Sequence, residues 1–124
     1  MAITNFIVNT DFPQNVYQGD YFDFELTVNA NLTGYKCRAN IYDIDGNDIQ
    51  LASSNITGGS DSEVLITSSS ISTIKVFVAK DLTDNFNENS FVEVEIEDAS
   101  GKVYTILNYN FKINKENLTW TEPS

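Results

Sequence analysis

The run Asp43-Ile44-Asp45-Gly46-Asn47-Asp48 spaces its side-chain oxygens like the start of a calcium loop. An EF-hand loop needs oxygen ligands at alternate positions, glycine at the sixth and a bidentate Glu at the twelfth. Counted from Asp43, glycine falls fourth and the twelfth residue is Ser54, so the calcium reading fails. Asp-Gly between two alternating segments instead marks a hairpin turn, which needs no ion. A second candidate is the row Glu93, Glu95, Glu97, whose chemistry would be a metal site or a catalytic carboxylate pair. At a spacing of two these side chains share one face of a strand, and a solvated face is the favoured reading. Lys36 and Arg38 lie at the same spacing on another strand. Opposite charges across a strand pair stabilise it by roughly 0.2–1 kcal/mol each, so Lys36 and Arg38 are expected to face Glu93 and Glu95.

Nucleophilic chemistry fares no better. The single cysteine, Cys37, would need a base to form its thiolate, and the chain has no histidine. Its inward position in an alternating strand reads as a small core residue. One cysteine also forms no internal disulfide. Ser68-Ser69-Ser70 lacks the Gly-X-Ser-X-Gly frame of a nucleophile elbow. The sequons at Asn31, Asn55 and Asn117 read as coincidence in an asparagine-rich chain. The residues therefore point away from an enzyme and call for no metal or cofactor.

The elements that position these residues follow a period of two. Phe22, Phe24, Leu26 and Val28 share one face of Tyr21–Val28, with Asp23, Glu25 and Thr27 on the other. In Tyr35–Tyr42, Tyr35, Cys37, Ala39 and Ile41 face inward. In Phe91–Asp98, Val92, Val94 and Ile96 face inward. In Lys102–Ile113, Val103, Thr105, Leu107, Tyr109, Phe111 and Ile113 form one face. Weaker strands are expected at Ile3–Val8, Asp48–Ser53, Glu63–Thr67 and Thr73–Ala79. Gly-containing turns separate them, and only Asp81–Phe86 suggests a helical turn, capped by Asp81 or Thr83. Ser53–Ser72 reads as a long loop or protruding hairpin. Seven or more short strands suit an all-β fold, an immunoglobulin-like antiparallel β-sandwich. The chain divides into one sandwich domain over residues 1–113 and a polar C-terminal tail over 114–124.

Composition narrows the partners. The 124 residues carry a formal net charge of −11, which repels phosphate and anionic lipid, so neither nucleic acid nor membrane is an expected partner. The N-terminal MAITNFIVNTDF has no basic region followed by an apolar core, so no signal peptide is expected. Phe12 and Pro13 before the first strong strand, and Trp120 in the tail, are aromatic or rigid residues outside the strong strands. Such aromatics either pack back on their own domain or anchor another subunit. Tyr17, Tyr21, Asn85, Phe86, Asn87 and Asn89 are candidates for a ligand loop.

The run QGDYFDFELTVNANLTGYKCRANIYDIDGNDI resembles a widespread type of bacteriophage virion protein. Its marks are a Gln-Gly-Asp before an aromatic-rich strand, and the turn Leu32-Thr33-Gly34-Tyr35 before the next strand. Thr73–Leu82 resembles the strand of that type that runs into a short turn. FVEVEIEDASGKVYTILNYNFKIN resembles its closing hairpin. The same pattern occurs in N-terminal domains of upper baseplate proteins and in small tail-associated proteins. The sequence departs from it in a shorter linker between strands two and three and in a longer Ser/Gly-rich segment around residues 55–72. The resemblance covers about Val16 to Ile113. It implies an immunoglobulin-like domain without catalysis, localised to the virion. Such a domain would be an adaptor at the tail, baseplate or neck, bound to other virion proteins and to copies of itself. The alternatives are a capsid decoration protein and a carbohydrate- or receptor-binding module.

Overall fold

The structure, a computed structural model, describes residues 6–13, 15–52, 63–67 and 71–115. Among the described residues nine strands form two sheets: β1 (Val8–Thr10), β2 (Asn15–Tyr17), β3 (Phe22–Val28), β4 (Lys36–Asp43), β5 (Asp48–Ala52), β6 (Glu63–Thr67), β7 (Ser72–Val78), β8 (Asn89–Glu97) and β9 (Val103–Asn114). One sheet has the order β1-β3-β7-β6 and the other β2-β9-β8-β4-β5. There is no helix among the described residues. The apolar alternation sets the registers, because a slip of one residue would turn a whole buried row to solvent. Phe24, Leu26, Val28, Ile74, Val76 and Val78 from the first sheet meet Cys37, Ala39, Ile41, Val92, Val94 and Ile96 from the second in one hydrophobic cluster. Fully burying each Val, Leu, Ile or Phe contributes roughly 1.5–3 kcal/mol, so this cluster dominates the favourable side of folding.

The first strand segment serves both sheets. β1 pairs antiparallel with β3, and β2 pairs parallel with β9, so the chain changes sheets between Thr10 and Asn15. Phe12 sits at this crossing and is 7% exposed. Its ring lies 4.7 Å from both Phe24 and Phe111, with edge-to-face geometry. Such pairs add about 0.5–1.5 kcal/mol beyond area burial. Of the two readings open to Phe12, the structure selects packing on its own domain: it is a core residue and not an exposed anchor. Pro13 is partly buried beside it in the crossing. A missing backbone donor is tolerated there, between two short edge strands.

Three expectations are corrected. The strand expected at Ile3–Val8 begins at Val8, and residues 1–5 lie outside the described residues. Asp81–Phe86 is a pair of hydrogen-bonded turns: the Asp84 N–H donates to the Asp81 carbonyl and the Phe86 N–H to the Thr83 carbonyl. The single inward face expected for Lys102–Ile113 is broken by a bulge. Val94 pairs Leu107 and Glu95 pairs Thr105, which leaves Ile106 as the extra residue. An inserted residue reverses the in-out alternation beyond it. Tyr104 therefore packs on Phe6 at 5.3 Å, while Val103 is 47% exposed.

Candidate functional site

Strand directions bring four connections to one end of the two sheets: the β2–β3 turn, the β4–β5 turn, the β7–β8 loop and the end of β9. A buried carboxylate organises this loop end. Asp43 is 4% exposed. Its Oδ1 accepts hydrogen bonds from the Asp45 and Asn47 N–H groups, and its Oδ2 accepts from Asn47 Nδ2 and the Asn87 N–H. One side chain thus fixes the β4–β5 turn and ties the β7–β8 loop to it. Burial raises the Asp43 pKa, but the Asn47, Asn87 and Asp45 hydrogen bonds together outweigh it, and the carboxyl is held below its ordinary value.

The hairpin itself is confirmed, with a detail that Asp-Gly alone does not specify. The Gly46 N–H donates to the Asp43 carbonyl, the Asp43 N–H donates to the Asn47 carbonyl, and Gly46 has φ 91°. This is a three-residue loop closed by a left-handed glycine. The β8–β9 hairpin at the other end repeats it: the Gly101 N–H donates to the Asp98 carbonyl, and Asp98 Oδ1 accepts from the Ser100 and Lys102 N–H groups. The shared frame is Asp-X-X-Gly, with Asp43-Ile-Asp-Gly in one and Asp98-Ala-Ser-Gly in the other. Side-chain and backbone hydrogen bonds from Ser100 and Lys102 hold the Asp98 carboxyl below its ordinary value too.

Gln18-Gly19-Asp20 docks on the β7–β8 loop. Gln18 Nε2 donates to the Phe86 carbonyl, the Gly19 N–H donates to Thr83 Oγ1 at 2.8 Å, and the Asp81 N–H donates to the Gly19 carbonyl. Gly19 has φ 80°, and a Cβ there would collide with Asp84 Oδ1. Leu32-Thr33-Gly34-Tyr35 forms a type II turn: the Tyr35 N–H donates to the Leu32 carbonyl, and Gly34 takes φ 83° at the position that demands it. Leu32 is buried, so this turn is pinned to the core where the chain passes from β3 to β4.

The candidate ligand residues divide. Tyr17 and Tyr21 are each 53% exposed at the loop end, and Asn85 and Asn89 are exposed there. Gln18, Asp45, Asp84, Asn85, Asn87, Glu88, Asn89 and Lys115 line a shallow polar depression beside them. Phe86 is not available to a ligand, for its ring is buried in the core. Asn87 is committed to structure: its N–H holds Asp43 and its Nδ2 donates to Asp45 Oδ2. The Tyr21 hydroxyl donates to Asp23 Oδ2, which raises its pKa. Trp120 lies outside the described residues, as does the serine run 68–70.

The outer face of the five-stranded sheet carries the charged rows. The basic and acidic rows face each other, with Arg38 opposite Glu95, but the register sets Lys36 opposite Glu97 and leaves Glu93 opposite Asn40. Arg38 Nη2 lies 2.8 Å from Glu97 Oε1 and its Nε 3.4 Å from Glu95 Oε1. The Glu97 hydrogen bond is the main cause of the raised Arg38 pKa. These partners are solvated and ladder-forming, so the glutamate row is structural. Cys37 faces inward beneath Arg38, where burial pushes its thiol up to about 12. Among the described residues no cluster of His, Cys, Asp and Glu could hold a metal ion, and no helix is long and apolar enough to cross a membrane. No protein-family model matches the chain, and no curated protein matches it.

Proposed function

We propose that the chain is an immunoglobulin-like sandwich that serves as a non-enzymatic structural protein of a bacteriophage virion, an adaptor at the tail, baseplate or neck. The observation that carries this reading is the place of the resembling motifs. Gln18-Gly19 and Leu32-Thr33-Gly34-Tyr35 both occupy turns that demand their glycines, with φ 80° and 83°, and both pin connections that define the fold. They are therefore features that a shared architecture would keep. The strand order supports the finer fold. β1-β3-β7-β6 against β9-β8-β4-β5 is the order that an immunoglobulin-like domain with one added strand would have, and the shared first segment gives each sheet one edge strand. The protonated, buried Cys37 and the hydrogen-bonded Ser72 and Ser90 support a role without covalent chemistry.

Antibody-gold labelling of intact phage particles from producing cells tests this. Label at one discrete site on the tail, baseplate or neck is expected. Label spread over the capsid would favour a decoration protein, and unlabelled particles would overturn the virion reading. A second reading, a carbohydrate- or receptor-binding module, is favoured by one observation: Tyr17, Tyr21, Asn85 and Asn89 converge on the loop end. Glycan binding abolished by Tyr17→Ala and Tyr21→Ala, in a chain that no particle carries, would decide for it.

A further inference from the structure

We propose that copies of this chain stack end to end, the acidic loop end of one copy against the opposite end of the next. Among the described residues the exposed large apolar side chains are segregated to the two ends. Tyr17 (53%), Tyr21 (53%), Ile44 (59%) and Leu82 (41%) rim the loop end. Ile7 (63%), Ile71 (57%) and Val103 (47%) lie at the other, where β1, β7 and β9 begin. The rims also differ in charge. Asp20, Asp45, Asp81 and Asp84 are exposed on the loop-end connections, where Lys80 and Lys115 oppose them. Glu88 is partly neutralised by Lys112, 3.8 Å away. At the opposite end Lys36 and Lys102 are exposed and Arg38 lies close by, against two acids, Glu97, which pairs with Lys36 and bonds Arg38, and Asp98, which accepts hydrogen bonds within its own turn, so this end is the less acidic of the two.

This complementarity selects a second copy as the occupant. Two loop ends face to face would oppose like carboxylates, an arrangement that charge patterning disfavours. Loop end to opposite end sets the acidic rim against Lys36 and Lys102, with exposed apolar side chains on both sides. Such a contact is heterologous: each copy keeps a free end, so association continues past the dimer into a ring or a filament. Repetition of the contact along the assembly lets many copies supply durability even where a single contact is weak. The proposal rests on the reading of the chain as an assembly protein, yet it is tested apart from the particle.

The test is solution mass by light scattering against concentration, with the full chain at low salt. Two variants are compared, Asp20→Lys/Asp45→Lys at the loop end and Lys36→Glu/Lys102→Glu at the other, each checked for folding by circular dichroism. The unaltered chain is expected to grow past the dimer. Each variant alone has like charges at both ends and loses association by about tenfold or more. Their equimolar mixture regains growth past the dimer. A chain that is monomeric throughout, variants that associate like the parent, or a mixture that stops at dimers would each overturn the proposal. Should either variant fail to fold, salt decides. The Debye length falls from about 30 Å at 0.01 M to about 3 Å at 1 M, so association should weaken, and salt-insensitive growth would overturn it. A monomeric chain found in particles would remove the stacking and leave the virion reading intact.

Discussion

Asp43 and Cys37 show how two residue types with chemical potential are spent on structure. Asp43 satisfies four donors from three residues on two segments while almost fully buried. Replacing it with alanine strands those donors, and leaving a buried donor unsatisfied costs about 1–3 kcal/mol. Asp43→Ala should lower the unfolding free energy by that amount, seen as a lower urea midpoint with the slope unchanged, and an unchanged midpoint would remove Asp43 from its organising role. The pH dependence has a definite sign. The folded pKa lies below the unfolded one, so the stabilisation is complete above the unfolded value, near pH 4, and is lost as pH falls through the folded value. The loop end should loosen on the acid side, and the Asp43→Asn variant should lose that part of the acid dependence, as read by the pH profile of thermal unfolding. Cys37, with its thiol near 12, should resist thiol reagents at pH 8 in the folded chain and react fully in denaturant. Rapid labelling of the folded chain would contradict its burial.

At the scale of elements, what could be read from sequence was whatever is local. β3, β4 and β8 announce themselves because each alternates between a buried and a wet face over seven residues or more. Both Asp-X-X-Gly hairpins were legible in principle, since their bonds close within five residues. The Asp43 bond to Asn87 was not, because it joins positions 44 apart. β2 was missed for a similar reason: three residues carry no usable period, and its parallel pairing with β9 spans almost the whole chain. The Ile106 bulge depends on how β9 meets β8, which no single-strand pattern contains. Phe12 was ambiguous until its partners on β3 and β9 came together. Phe12→Ala should cost about 3–5 kcal/mol, the range for large buried aromatics, and release the sheet-changing segment. Amide exchange in β1 and β2 should then rise ahead of exchange in β8, and uniform exchange would argue against that local role. Gly19→Ala should also destabilise, by about 1–2 kcal/mol for the left-handed backbone, while the exposed Asp84 carboxylate swings aside from the new Cβ. An unaltered urea midpoint would show that the Gln-Gly-Asp turn tolerates a side chain.

The molecule combines a core shared by two sheets, a solvated ladder on one outer face, and two ends that hold the exposed large apolar side chains of the described residues. Its acidity belongs to this scale: a net charge of −11 keeps copies soluble, and its uneven distribution leaves one orientation of approach less opposed than the other. Few of the residues that carry the function as proposed are chemically distinctive. Surface contacts depend on which side chains the fold brings to each end, and a linear sequence does not display that grouping. The candidate ligand loop illustrates this: Tyr17, Tyr21, Asn85 and Asn89 do gather, whereas Phe86, beside Asn85 in sequence, points into the core. The most direct test of a structural role in the virion is the copy number of this chain in gradient-purified phage particles, by quantitative mass spectrometry against a tail protein of known stoichiometry. A fixed ratio that survives repeated purification is the expected result. A chain recovered only from the soluble lysate, or in a ratio that falls with each gradient, would contradict it.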